Sequence, residues 1–243
     1  MNSSDQMDFV VAERRRIRVE YQRRANEVSA DRYASWQPAT KLIIEGRRRT
    51  AIEMLRRANV FPGPTDKCLE VGCGSHGWFN DLIDWGVSET NMHGIELDPE
   101  RALQARENFP NSDPRLGDAV ELPWADSSFK LVICSTLFTS VLDSKVRSLI
   151  ANEIVRVLAP GGALLWYDFA FDNPRNRSVR GISRRQLRKL FPSLRGETRS
   201  VTLAPPLARA IAPRSWTLAT LLEKIPLLRT HLLGVLIKDR STA

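Results

Sequence analysis

The chain has 243 residues, 42% hydrophobic and 26% charged, with a formal net charge of +8. That length suits one full core with extensions, and the composition is that of a globular domain rather than a disordered or fibrous one. The absence of any run of eighteen apolar residues argues against a spanning helix, and three cysteines, Cys68, Cys73 and Cys134, are too few for a disulfide scaffold.

The N-terminal stretch MNSSDQMDFVVAERRR is acidic, then basic, without the apolar core of a secretory signal, so a cytoplasmic protein with buried reduced thiols is expected. Charge is unevenly divided. Residues 51–172 hold 10 Lys/Arg against 18 Asp/Glu, whereas residues 173–243 hold 15 against 3. An acidic centre between basic flanks is either a solvated surface or a sign of an anionic partner: phosphate, carboxylate, nucleic acid or anionic lipid.

In chain order, residues 8–28 read as a helix with Phe9, Val10, Ile17, Tyr21 and Val28 as apolar positions. A loop-like run with Tyr33, Trp36 and Pro38 leads to a second helix at 39–59, and PGPTD at 62–66 is a break. Residues 1–61 are therefore expected to form a helical cap, where Tyr21, Tyr33 and Trp36 either line a ligand cleft or pack the cap onto the core. Strands then alternate with helices: strand 67–71, helix 77–85, strand 92–97, helix 99–108 started by Asp98 and Pro99, and a short strand 114–116. Strand 129–134, helix 144–157 and strand 163–168 follow, a pattern that predicts a parallel sheet with right-handed crossovers. Beyond these lie a helix capped by Ser183, a strand at 199–204, a helix at 214–224 and a last strand at 230–237. Trp216, Leu218, Leu221, Leu222 and Ile225 form an apolar stripe amid arginines that suits core packing, a dimer interface or a membrane surface.

The first strand runs into KCLEVGCGSHGW, where Gly72, Gly74 and Gly77 have GxGxxG spacing. Glycines permit a tight turn and let backbone N–H groups approach a ligand, and a following helix adds its positive dipole end. Glu70, just before the glycines, repels a pyrophosphate and attracts an ammonium group. The second strand ends in Glu96, at the distance where doubly wound folds place an acid on ribose hydroxyls.

EVGCGSHG followed by GIELDPE resembles the class I S-adenosylmethionine-dependent methyltransferases. GDAVELPWADSSFKLVICSTLF (117–138) and RVLAPGGALLWYDF (156–169) resemble two further motifs of that family, so four ordered motifs span 67–169. The resemblance implies a Rossmann-like, doubly wound α/β fold with a seven-stranded sheet of order 3-2-1-4-5-7-6, its last strand antiparallel. It implies a cap at 1–61 and a methyltransferase domain at 62–243 that includes C-terminal substrate-side elements. It also implies S-adenosyl-L-methionine as cofactor, with Glu70, Gly72, Cys73, Gly74, Gly77 and Trp78 around its methionine part. Glu96 and Leu97 would hold its ribose, Asp118 and Ala119 its adenine, with Cys134 and Ser135 alongside. Asp118 is equally suited to cap a helix. No N/D-PP-Y/F or Pro-Cys element follows the fourth strand, which leaves small-molecule O-, N- or C-methylation.

The run 171–191 carries Asn173, Arg175, Asn176 and Arg180 as candidate substrate contacts, since arginines grip phosphate or carboxylate. It resembles a bacterial methyltransferase subgroup associated with glycans and specialised metabolites, which suggests a hydroxyl acceptor, acidic in character. A hydroxyl calls for a general base, for which Asp168, Tyr167, His76 and His231 are candidates. No metal-ligand cluster is visible. The expected partners are a small molecule and, through the apolar stripe, a peripheral membrane contact, in a monomer or homodimer. Two other readings remain: an RNA methyltransferase, for which no RNA-binding module is present, and a non-catalytic cofactor-binding partner subunit. A nicotinamide dehydrogenase fits the glycines but not Glu70.

Overall fold

The computed structural model of the protein describes residues 3–27, 29, 31, 34–173 and 176–240. Fifteen elements follow one another: α1 (Ser3–Glu27), α2 (Pro38–Arg57), β1 (Cys68–Val71), α3 (Phe79–Asp84), β2 (Met92–Glu96), α4 (Pro99–Asn108), β3 (Asp113–Leu116), β4 (Phe129–Ser135), α5 (Ser144–Val157), β5 (Leu158–Phe169), α6 (Arg184–Leu190), β6 (Leu194–Leu203), α7 (Pro205–Ile211), α8 (Trp216–Glu223) and β7 (Arg229–Lys238). The sheet order is β3-β2-β1-β4-β5-β7-β6. The first five strands are parallel, and β7 runs antiparallel to both β5 and β6. The fold and strand order expected from the motifs are those observed.

The central strands are apolar along their whole length because both faces of the sheet are covered. Cys68, Leu131, Ile133, Leu165 and Tyr167 point to one face, with α2 and α3. Leu69, Val71, Val132, Cys134, Leu164 and Trp166 point to the other, with α1 and α5. The two N-terminal helices are thus parted by the sheet. α1 buries Val10, Glu13 and Ile17, spaced by about one and two helical turns, against the α5 side. α2 buries Ala51, Met54 and Leu55 on the opposite face. Val28, expected on the first helix, lies outside the described residues.

Local chemistry explains the helix starts. The Asp98 side chain accepts the Arg101 N–H at 3.0 Å, with Pro99 next in the chain. Asp143 accepts the N–H groups of Lys145 and Val146. Ser183 and Gln186 form a reciprocal capping box on α6. Three differences from the sequence reading stand out. α7, started by Pro205 and Pro206, lies between the strand expected at 199–204 and the helix expected at 214–224, where the sequence reading assigns no element. β6 begins at Leu194 rather than 199, because the exposed polar residues of this edge strand conceal its pairing with β7. β5 begins at Leu158, before the Pro-Gly-Gly turn, where Leu158 pairs with Phe129 across an irregularity.

Trp166, Phe138 and Phe191 form a fully buried aromatic group, with ring centroids 4.7–5.9 Å apart. The Trp166 indole N–H has no partner there. Trp166→Ala should lower unfolding free energy by about 3–5 kcal/mol, whereas Trp166→Phe should lose under about 1.5 kcal/mol. Urea unfolding midpoints check the ordering.

Candidate active site

Parallel strands bring their carboxyl ends to one edge, and the glycine loop crosses that edge beyond β1. Gly72, Gly74 and Gly77 all adopt left-handed φ, at 76°, 60° and 48°. A Cβ on Gly77 would collide with the Glu70 carboxylate and sit 2.6 Å from the Cys73 carbonyl. Glu70 is buried and accepts the Trp78 N–H at 2.7 Å. Burial pushes its carboxyl up to about 8, against the pull of that N–H group and of nearby Arg47. The loop is also tied to β2: the N–H groups of Gly72 and Cys73 donate to the Ile95 carbonyl, and the Gly74 N–H to Glu96 Oε2 at 2.8 Å. Glu96 Oε1 accepts the Asp98 N–H at 3.0 Å. Glu96 is therefore held by one backbone donor on each oxygen, 3% exposed, with its remaining lone pairs on a cleft.

That cleft is lined by Gly72, Glu96, Leu97, Asp118, Ala119 and Leu137, so those six positions converge on it. α1 closes its other side with Val10, Glu13, Arg14, Ile17 and Tyr21. Arg14 reaches across to Asp118, Nη2 to Oδ2 at 2.6 Å, while the other Asp118 oxygen accepts the Val120 N–H at 3.1 Å. Asp118 thus caps the turn after β3 and is ion-paired as well. Arg101 lies over the Tyr21 ring at 4.9 Å and 3.9 Å from Glu96. Burial raises the Tyr21 phenol above its ordinary value.

Other expected contacts fall differently. Cys73 and Cys134 are buried thiols, pushed up by burial and beside carboxylates. Trp78 is buried under Arg47, whose guanidinium lies 4.4 Å from the ring centroid. Ser135 ends β4 opposite Tyr167. Trp36 is 67% exposed and lines no part of the cleft. Tyr33 and Arg175 lie outside the described residues. Asn173 and Asn176 form a local turn, the Asn176 N–H donating to the Asn173 carbonyl at 2.9 Å. Arg180 is exposed, and its N–H donates to the Thr139 carbonyl.

The base candidates are mostly occupied. Asp168, 2% exposed, accepts the Thr139 hydroxyl at 2.5 Å and N–H groups of Thr139 and Phe169 at 3.1 and 2.9 Å. Burial lifts it to about 6 against those bonds. Tyr167 shares a hydrogen bond with Thr202 at 2.9 Å and is pushed by burial up to about 12. His231 stacks on Tyr167 at 4.9 Å, and burial drives it down to about 3, so it is neutral. His76 is exposed and bonds Ser75 and Asn108, in the last turn of α4, away from the cleft lining. Thr136 and Thr202, both flanking Tyr167, hold left-handed φ of 52° and 67°, strained for β-branched residues.

Sequence reasoning missed the cations. Arg47, Arg48 and Arg49 look like one solvated run. In the structure Arg47 turns in between Trp78 and Tyr167, Arg48 bonds Asp81 and Asp84, and Arg49 pairs with Glu223. Arg14 and Glu13, the latter accepting the N–H groups of Leu142 and Asp143, were likewise hidden in a charged helix.

Comparison with known proteins agrees with this geometry. Residues 69–166 match the family model described as "Methyltransferase domain". That match and the strand order support a class I S-adenosylmethionine-dependent methyltransferase. It is 28% identical to norajmaline N-methyltransferase of Rauvolfia serpentina over 65% of this chain and 58% of that one. It is 33% identical to sterol 4-C-methyltransferase strm-1 of Caenorhabditis elegans over 44% of this chain and 32% of that one. The match thus spans less than two thirds of either relative. In fold it resembles geranyl diphosphate C-methyltransferase from Streptomyces coelicolor, a structure holding Mg2+, geranyl diphosphate and S-adenosyl-L-homocysteine. The TM-score is 0.58 at 15% identity, covering 79% of this chain and 77% of that one.

The residues present fit the family's cofactor. A glycine cradle with no room for Cβ atoms and a pinned carboxylate at the end of β2, opening on the cleft beside Asp118, suit an adenosine with a charged amino-acid tail.

Glu70 has a measurable signature. Its folded form keeps a proton to about pH 8, while the unfolded chain releases it near 4.5. Between those values the folded state binds more protons, so stability falls as pH rises. Asp168 adds to that fall only near pH 6, so toward pH 8 Glu70→Gln should flatten it; the full slope for one group is about 1.4 kcal/mol per pH unit. Unfolding curves from pH 6 to 8 read it, and an unchanged slope would disprove the buried protonated acid.

Proposed function

We propose that this methyltransferase moves the methyl group of S-adenosylmethionine to a largely apolar small molecule held over the ends of β4 and β5. The observation that carries the reading is the cleft wall: Val10, Ile17, Leu137, Val141, Val146 and Ile150, adjoining the pinned Glu96. Relatives named as a norajmaline N-methyltransferase and a sterol 4-C-methyltransferase support a small-molecule acceptor.

The cofactor supplies a methyl already activated by its sulfonium. What remains for the protein is to bind, orient and exclude water. Glu96 and the Gly74 N–H set the cofactor's position, Asp118 and Ala119 its base, and Glu70 the loop that carries its amino-acid part. Tyr21, Ile17 and Leu137 keep water out.

Among the described residues, each base candidate at the strand ends already has a partner: Asp168 is held by Thr139 and Tyr167 by Thr202, while His231 is buried beside Thr230. The reading that follows is an acceptor whose nucleophile, such as an amine, needs no strong side-chain base. The hydroxyl acceptor expected from the resemblance of residues 171–191, with the acidic character expected from Arg175 and Arg180, is the competing version, and the pH profile separates the two.

Glu96→Ala should weaken S-adenosylmethionine binding at least tenfold in calorimetric titration and also lower the melting temperature, since the Gly74 and Asp98 N–H groups lose their acceptor. Unchanged affinity would remove Glu96 from the cofactor site. Asp168→Asn should retain turnover within about tenfold of the parent enzyme with the best amine acceptor found by radiolabelled methyl transfer. A loss of a thousandfold or more, on the scale of a missing general base, would make Asp168 catalytic and restore the hydroxyl reading.

A further inference from the structure

β6 runs in the same direction as β5, since both are antiparallel to β7. Its end at Leu203 therefore lies on the carboxyl edge of the sheet, the edge that carries the cofactor cleft. The connection from β6 to β7, residues 204–228, is built there, closed by the Ala204 N–H donating to the Leu228 carbonyl at 2.8 Å. Its inner side is small and apolar: Ala208, Ala212 and Ala219 pack with Leu203 against Ala39 and Leu42 of α2. Its one carboxylate, Glu223, is buried beside Gly46 and pairs with Arg49.

The outer side is different. Leu207, Trp216, Leu218, Leu221, Ile225 and Leu227 are exposed, the last at 94%. They are six of the thirteen large apolar side chains exposed among the described residues, gathered in a tenth of the chain. Arg209, Arg214 and Lys224 are exposed between them, and no exposed carboxylate occurs from 205 to 228. Leu222 of the expected stripe turns inward with Ala219, so the helix has separate packing and outer faces. An apolar cluster of this kind marks an interaction site. Interspersed cations with a tryptophan and leucines are the chemistry of an interfacial helix. A second copy of the chain fits less well, because a two-fold contact would bring this cationic face against itself.

We propose that residues 205–228 dock on an anionic lipid bilayer, setting the carboxyl edge of the sheet toward the membrane. The exposed leucines and Trp216 enter the headgroup boundary, and Arg209, Arg214 and Lys224 meet lipid phosphates. Docking rests on this surface alone. Joined to the proposed apolar acceptor, it gives that acceptor a route from the bilayer to the cleft without crossing water.

The test is co-sedimentation of the full chain with vesicles of phosphatidylcholine alone and of phosphatidylcholine with phosphatidylglycerol. The expected result is binding to the anionic vesicles, at least tenfold weaker on the neutral ones and at least tenfold weaker for the double variant Leu218→Asp, Leu221→Asp. Arg214→Glu with Lys224→Glu should weaken it comparably. Both pairs are exposed, and unchanged melting curves and S-adenosylmethionine titration in the variants confirm that fold and cofactor site are intact, so failure here leaves the methyl-transfer reading standing. No binding to anionic vesicles, or binding that these variants do not reduce, overturns the proposal. A concentration-dependent dimer abolished by Leu218→Asp, Leu221→Asp in the absence of vesicle binding would assign the face to a second copy instead.

Discussion

Two buried carboxylates at neighbouring strand ends hold the site together. Glu70 takes the Trp78 N–H from one side of the glycine loop, and Glu96 takes the Gly74 N–H from the other. Between them the loop is fixed at both ends, in a conformation open to glycine because a Cβ at Gly77 would strike Glu70 itself. Burying two acids, with Asp81 adding a third negative charge near Glu70, is unfavourable unless cations or backbone donors answer them. The answer comes from elements remote in sequence: Arg47 from α2 and Arg101 from α4. The cofactor side of the protein is therefore an acidic cradle held by imported positive charge.

The same import explains the uneven charge distribution. The acidic centre and basic flanks are two parts of one electrostatic structure. α1 and α2 send Arg14, Arg47 and Arg48 inward to Asp118, Asp81 and Asp84. Part of the C-terminal excess is spent similarly, on Arg229 closing the end of α8 through the Glu223 and Lys224 carbonyls and on Arg199 meeting Glu53 and Glu197. Of what is left over, Arg209, Arg214 and Lys224 lie on the outer side of the β6–β7 connection.

Much of this was legible beforehand, and the exceptions share a cause. The strands themselves, the glycine loop and Glu96 were readable because they depend on local spacing: an apolar run, glycines at fixed intervals, an acid at a strand end; the strand order came from the family resemblance those motifs carry. The caps at Asp98 and Ser183 were readable for the same reason. The three consecutive arginines were not, because their directions depend on what lies across α2 in space. α7 was missed because a paired proline reads as a break although it also suits a first helical turn. The inward side of α8 was hidden because alanine carries so weak a hydrophobic signal that Ala219 gives no clue to its packing on Ala208 and Ala39. The fate of Asp168 turned on Thr139, twenty-nine positions earlier, a distance at which sequence pattern is silent.

The matched segment, 69–166, ends inside β5. Part of the cleft wall lies outside it, in α1 with Val10, Ile17 and Tyr21, while Leu137, Val141, Val146 and Ile150 lie within it. The matched segment holds Glu70, Glu96 and the glycine loop between them, and α1, α2 and the chain after β5 lie outside it. Drift in those ends can exchange one acceptor for another without disturbing Glu70 or Glu96. An ancestral enzyme of this plan could change what it methylates while never losing its grip on the methyl donor, and kinship across the middle records descent of the donor site rather than of the substrate.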